Sequence, residues 1–155
     1  MVTLRNYIAT LILLFITSIF FPGCSFFADF FILNTTEKEV TAVIKFERPI
    51  DEYCKDSSSI QLKYADTIFV VNDKTQTQLI KKLNYKKINL TTLSITLPAR
   101  SSVLVGGSLN RPIAADSITF IKNSIATDYS INDIYKKTKK TGGLFPPFHV
   151  TYKIE

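Results

Sequence analysis

The feature that most constrains this chain is an alternation of apolar and polar residues with a period of two. At its end, Phe148, Val150, Tyr152 and Ile154 alternate with His149, Thr151, Lys153 and Glu155. Successive strand side chains point to opposite faces, so the first set is expected inward and the second outward. Ala42, Ile44 and Phe46 lie opposite Thr41, Lys45 and Glu47 by the same rule. Leu93, Ile95 and Leu97 alternate with Ser94 and Thr96 until Pro98 ends the run, and Ile118 and Phe120 alternate with Ser117 and Thr119. Thr67 to Val71 is a short β-branched run, and Ser102 to Val105 reads as a strand closed by Gly106-Gly107. Phe30 to Leu33 leads through the turn-rich N-T-T-E-K-E into Val40, a sequence that predicts a hairpin. About seven short strands with turns between them predict a mainly β fold, an antiparallel β-sandwich.

Helix signals are few. Gln76 to Leu83 is ambiguous. Ser130-Ile131-Asn132-Asp133 resembles a capping box that opens one short helix near the C-terminus. That helix would run into I-Y-K-K-T-K-K and stop at Gly142-Gly143, with its lysines near the end that the dipole favours.

The front of the chain has a different pattern. Met1 and Arg5 supply positive charge, and Tyr7 to Phe21 then runs without one charged residue. The apolar stretch from Ile8 to Phe21 is 14 residues, short of the roughly 20 a membrane-spanning helix needs and matched to a signal peptide. Pro22-Gly23 breaks it just ahead of Cys24. Phe21-Pro22-Gly23-Cys24 resembles a lipobox, the motif of bacterial lipoproteins whose cysteine becomes the lipidated first residue. Gly23 and Cys24 match its strictest positions; Phe21 and Pro22 stand where Leu and a small residue are usual. The resemblance implies a signal peptide over 1–23 and a mature domain over 24–155, acylated (palmitate included) at Cys24. Ser25 after the cysteine implies the outer membrane by analogy. The rivals are ordinary secretion and a longer uncleaved anchor from Tyr7 to Leu33, which would have to pass Pro22-Gly23 and bury Asp29. N-T-T-E-K-E-V after the cysteine and L-P-A-R-S-S-V-L-V at Leu97 to Val105 are similar to segments of small Gram-negative envelope lipoproteins with a β-sandwich body. No function comes with that similarity.

The residues offer little chemistry. The two cysteines, Cys24 and Cys54, could close a 30-residue loop, but lipidation of Cys24 would leave Cys54 a lone thiol in the polar loop D-E-Y-C-K-D. The single histidine, His149, is expected outward and solvated. Asp51, Glu52 and Asp56 form an acidic knot without the regular alternation of a calcium loop. No catalytic, metal or cofactor motif is present, so an enzyme is not expected and no cofactor is implied. Asn34-Thr35-Thr36 and Asn89-Leu90-Thr91 are sequons. Asp66-Thr67-Ile68 and Asp116-Ser117-Ile118 resemble the acceptor of one bacterial O-glycosylation system.

Charge is distributed unevenly. From Cys24 to Asp73 five basic residues meet nine acidic ones, −4 in all. From Lys74 to Glu155 thirteen meet four, +9. Lysine pairs concentrate the excess: Lys81-Lys82, Lys86-Lys87, Lys136-Lys137 and Lys139-Lys140. Together they are a candidate patch for an anionic lipid, an anionic glycan or an acidic protein. The alternative is a solvated lysine-rich surface. Nucleic acid is not expected of an exported chain without a binding motif. The expectation is a membrane-anchored envelope protein that binds or builds. The rivals are a hydrolase-like enzyme with a dispersed site and an anchored subunit of an envelope complex.

Overall fold

A computed structural model describes residues 27–55, 62–72, 75–109, 113–142 and 148–155. The fold is mainly β, with two sheets and two short helices. The strands are β1 (Phe27–Asn34), β2 (Val40–Phe46), β3 (Lys63–Ala65), β4 (Lys81–Lys82), β5 (Tyr85–Lys87), β6 (Thr92–Leu97), β7 (Ser101–Leu109), β8 (Ala115–Lys122), β9 (Ile125–Ser130), β10 (Lys139–Thr141) and β11 (Phe148–Ile154). The helices are α1 (Ile50–Lys55) and α2 (Ile131–Lys136). One sheet has the order β10-β11-β1-β7-β3-β4, the other β5-β6-β2-β8-β9.

Alternation does what it should in the core. β2 buries Val40, Ala42, Ile44 and Phe46, and β6 buries Leu93, Ile95 and Leu97. They join Phe30, Ile32, Val103, Val105, Val150 and Tyr152 of the six-stranded sheet in one apolar cluster. Tyr152 stacks on Phe120 with ring centroids 5.3 Å apart, a ring contact between the two sheets.

Five expectations need correction. Among the described residues there are eleven strands rather than seven: β3, β4, β5 and β10 are two or three residues long and too short to show a period, β9 was not expected, and the Thr67 to Val71 run is not a strand. The pairing is not wholly antiparallel, since β1 and β11 run parallel. The polar D-E-Y-C-K segment belongs to α1 rather than a loop, with Asp51 and Glu52 in its favourable first turn. The ambiguous 76–83 stretch divides between a 3-10 turn at Thr75–Gln78 and β4. Finally, β7 runs through Gly106-Gly107 to Leu109 instead of closing there. Its register against β1 slips between Phe30 and Phe31, leaving Val105 as an extra residue. Gly106 at φ 154° supplies the backbone that this bulge requires.

The expected hairpin after β1 also does not form. β1 and β2 lie in different sheets, so residues 35–39 cross between them, and Pro98–Arg100 make the same crossing beside them from β6 to β7. Asn34, fully buried, explains why. Its Nδ2 donates to the carbonyls of Lys38 (2.9 Å), Pro98 (2.8 Å) and Leu97 (3.3 Å). Its Oδ1 accepts from the Thr36 amide and hydroxyl. One side chain therefore satisfies both corners. The Arg100 amide adds a bond to Thr36 O (3.1 Å), and its guanidinium grips Glu37 through two nitrogens. That hydrogen bonding holds the Glu37 carboxyl below the ordinary range. Arg100 itself sits in the left-handed region at φ 49°. The two segments singled out by resemblance are these two touching corners.

Helix α2 begins as expected: the Ser130 hydroxyl accepts from the Asp133 amide at 3.2 Å. It ends early, at Lys136. The Lys137 and Thr138 amides turn back to Ile134 and Tyr135, and Lys139–Thr141 leave the helix to pair with β11. Asn123 and Ser124, at φ 50° and 65°, form the two-residue turn between β8 and β9, the geometry that matches strand twist.

Candidate functional site: a basic-rimmed groove on the six-stranded sheet

The run Phe30-Phe31-Ile32-Leu33 does not alternate, and its geometry shows the reason. Phe30 and Ile32 face the main core, whereas Phe31 and Leu33 enter a second cluster with Ala65, Leu104, Val71 and Leu79. The chain from Asp66 to Asn72 crosses the outer face of the sheet as a strap. Ser102, fully buried, holds it: its hydroxyl donates to Thr67 O (2.8 Å) and accepts from the Phe69 amide. At its far end the Thr141 hydroxyl donates to Val71 O at 3.0 Å.

This second layer overturns the expectation for His149. It points away from the main core, as alternation requires, yet it is only 1% exposed. It lies edge-on to Phe31 with centroids 5.9 Å apart, and its Nδ1 is 3.3 Å from Oδ2 of buried Asp29. That contact is within ion-pair reach. A buried charge or polar ring requires a partner, and Asp29 stands next to it. No substrate in solution can touch this imidazole.

Beside the strap the sheet face is left open as a groove of about 690 Å³. Leu33, Phe69 and Val71 form its apolar floor, and Ile68 and Val70 its lip; Val70 is 77% exposed. Thr151 of β11 lies on the floor, where its buried Oγ1 has no hydrogen-bond partner among the described residues. The Thr141–Val71 bond closes the gap between strap and β10. Among the described residues, Lys137, Lys139 and Lys153 supply three ammonium groups to the rim, against the side-chain carboxylate of Glu155. Lys137 also lies over the Tyr129 ring at 4.6 Å. The pattern, apolar floor with a few polar groups, is that of a ligand site, and the volume falls in the range of such sites.

The eight lysines do not gather into one patch. β4 and β10 are opposite edges of a six-stranded sheet, so Lys81 and Lys82 stand roughly 24 Å from Lys139 and Lys140 at the usual strand spacing. Lys86 and Lys87 lie on β5, an edge of the other sheet, and Lys136 and Lys137 at the end of α2. Lys81 pairs with Asp66, Lys87 with Asp51 (2.7 Å) and Lys136 with Asp133 (3.0 Å). Hydrogen bonding to Asp66 raises the Lys81 ammonium above its ordinary value. Six of the eight are thus edge-strand lysines, where charge prevents another chain from adding to the sheet. Only Lys137 and Lys139 reach the groove, together with Lys153, which the doublet pattern did not mark.

Other candidates are dispersed. Cys24 lies outside the described residues, as do the Cys54 side chain and Asp56 of the acidic knot. Among the described residues no three His, Cys, Asp or Glu side chains converge on a metal position, and no helix is long and apolar enough to cross a membrane. The longer anchor to Leu33 does not stand, since Phe27–Asn34 is a strand. Asn34 has its amide engaged inside the fold, which removes the first sequon; Asn89 is exposed. No known protein family, curated protein or solved structure matches the chain.

Proposed function

We propose that the protein is a lipid-anchored component of a bacterial cell envelope that acts by binding. In this reading residues 1–23 are removed on export, and the two sheets of 24–155 form one β-sandwich domain tethered at Cys24. The outer membrane is its location, with the domain facing the periplasm or the exterior. The groove is the observation that carries the binding role: an apolar floor with exposed Ile68 and Val70 at its lip, three rim lysines, and a buried hydroxyl without a partner among the described residues. The anchor rests on the apolar run, the Pro22-Gly23 break and Cys24. At most about 10 Å of extended chain separates Cys24 from the start of β1, so the domain would lie close to the bilayer.

Growth with a clickable fatty acid tests the anchor. Wild-type protein is expected to take up label and fractionate with membranes, and Cys24→Ala to lose both. Membrane association that persists without label contradicts the reading.

A further inference from the structure

We propose that the groove captures one monomeric, single-chain anionic amphiphile, of the long-chain fatty acid class, from the aqueous phase. This deepens the binding role proposed above, and only the choice of source rests on the anchor at Cys24.

The chemistry of the two halves of the site dictates the ligand. Ile68 and Val70 at the lip leave apolar surface facing water above buried Leu33 and Val71, which favours an acyl tail without any directional contact. Lys137, Lys139 and Lys153 are close enough to line the same groove, and like charges so gathered favour an anion between them. Among the described residues Glu155 brings the only opposing side-chain charge to the lining. Thr151 lines the same groove, and its Oγ1 is buried without a partner among the described residues. A buried hydroxyl left so is unfavourable, and rotation of the Thr151 side chain toward the groove would let a carboxylate oxygen accept its proton. A neutral tail leaves the lysines and Thr151 unused; a small hydrophilic anion leaves the apolar floor exposed.

Position selects the source. Leu33 stands about 20 Å along β1 from Phe27 at the rise of an extended strand, and Phe27 is the end that Cys24 would hold to the membrane. The end of the groove formed by Leu33 and Lys153 then stands away from the anchoring bilayer. A lipid packed in that bilayer does not reach it, whereas a monomer in solution does.

The test is photo-crosslinking of the full-length protein in washed membranes with a diazirine-bearing palmitate, followed by peptide mass mapping. Adducts are expected on 68–71, Leu33 and the 137–141 segment. They should be competed by palmitate at least tenfold more effectively than by hexadecanol. The triple variant Lys137→Glu, Lys139→Glu, Lys153→Glu should lose labelling at least tenfold, while the triple arginine variant retains it and controls for folding. Thr151→Val should weaken capture severalfold with no change in far-UV circular dichroism. A diazirine phosphatidylglycerol placed in the membrane should leave the groove unlabelled.

Equal competition by hexadecanol, adducts spread evenly over the surface, or labelling of the groove by the membrane lipid would each overturn the proposal. Cys24→Ala keeps the two readings apart. Groove adducts that persist in a variant whose wild type never carried acyl label refute the anchor alone; an acylated Cys24 without groove adducts refutes the capture alone.

Discussion

Replacing Asn34 tests the corner that sends β1 and β2 to different sheets. Asn34→Ala removes a donor that reaches three carbonyls, Lys38 O, Leu97 O and Pro98 O, and an acceptor that serves Thr36 twice. An amide has two hydrogens, so at most two of the three carbonyl bonds are undivided and the third shares a hydrogen. A hydrogen bond of this kind contributes about 1 kcal/mol net, and an orphaned buried partner costs about 1–3 kcal/mol more. The loss expected for alanine is therefore about 3 kcal/mol, or roughly 10 °C in melting temperature for a domain of this size. Asn34→Asp sharpens the test. An ionised carboxylate only accepts, and here it would face three carbonyl oxygens, so at neutral pH aspartate should be worse than alanine. Those oxygens and burial raise the carboxyl above its unfolded value. The folded aspartate variant then holds its proton more tightly than the unfolded one, and its stability should recover as pH falls and decline as pH rises. Urea denaturation followed by circular dichroism reads all three proteins. An alanine variant within about 0.5 kcal/mol of wild type, the ordinary range for a surface change, refutes the clamp. So does an aspartate variant that is insensitive to pH.

Four further outcomes are expected. Burial pushes the Tyr152 hydroxyl up to about 12, with the nearby Tyr129 adding to it; the unfolded tyrosine, near 10, loses its proton first. Stability should hold below pH 10 and fall between about 10 and 12, by on the order of 1–2 kcal/mol after screening, and alkaline titration of wild type against Tyr152→Phe checks this. Asp29→Ala removes the carboxylate beside the buried imidazole and should cost about 3 kcal/mol, whereas Asp29→Leu with His149→Leu should recover most of it in a thermal melt. Ser130→Ala removes the N-cap of α2 and should cost about 1 kcal/mol in the same assay. Arg100→Gly relieves a left-handed backbone and gives up only an exposed ion pair, so its melting temperature should be unchanged or higher.

The sequence made the faces of the strands legible but not their partners. Alternation assigned Ala42, Ile44, Leu93, Ile95 and Tyr152 inward because it reports only which side of one strand a residue occupies. Whether the other side meets water or a second layer is decided by residues far away. His149 was misread for that reason: the strap over β1 and β11 converts an outward position into a buried one. The clue is local: a run such as Phe30-Phe31-Ile32-Leu33 with no polar break suits a strand covered on both faces. The hairpin was misplaced because N-T-T-E-K-E has turn chemistry, and what makes it an arch is Asn34 reaching carbonyls more than sixty residues away. Lysine doublets were visible, but their role needed the sheet order, which sets Lys81-Lys82, Lys86-Lys87 and Lys139-Lys140 on edges. The groove had no linear signature at all. Its residues come from β1, the strap, the end of α2, β10 and β11, and Lys153 and Thr151 looked like ordinary outward positions.

The class of the protein is most directly tested by the intact mass of the chain extracted from its native membranes. The account predicts a species that begins at Cys24, has lost residues 1–23, and carries acyl mass on its first residue. A full-length chain with Met1 in place and an unmodified thiol at position 24 would contradict it.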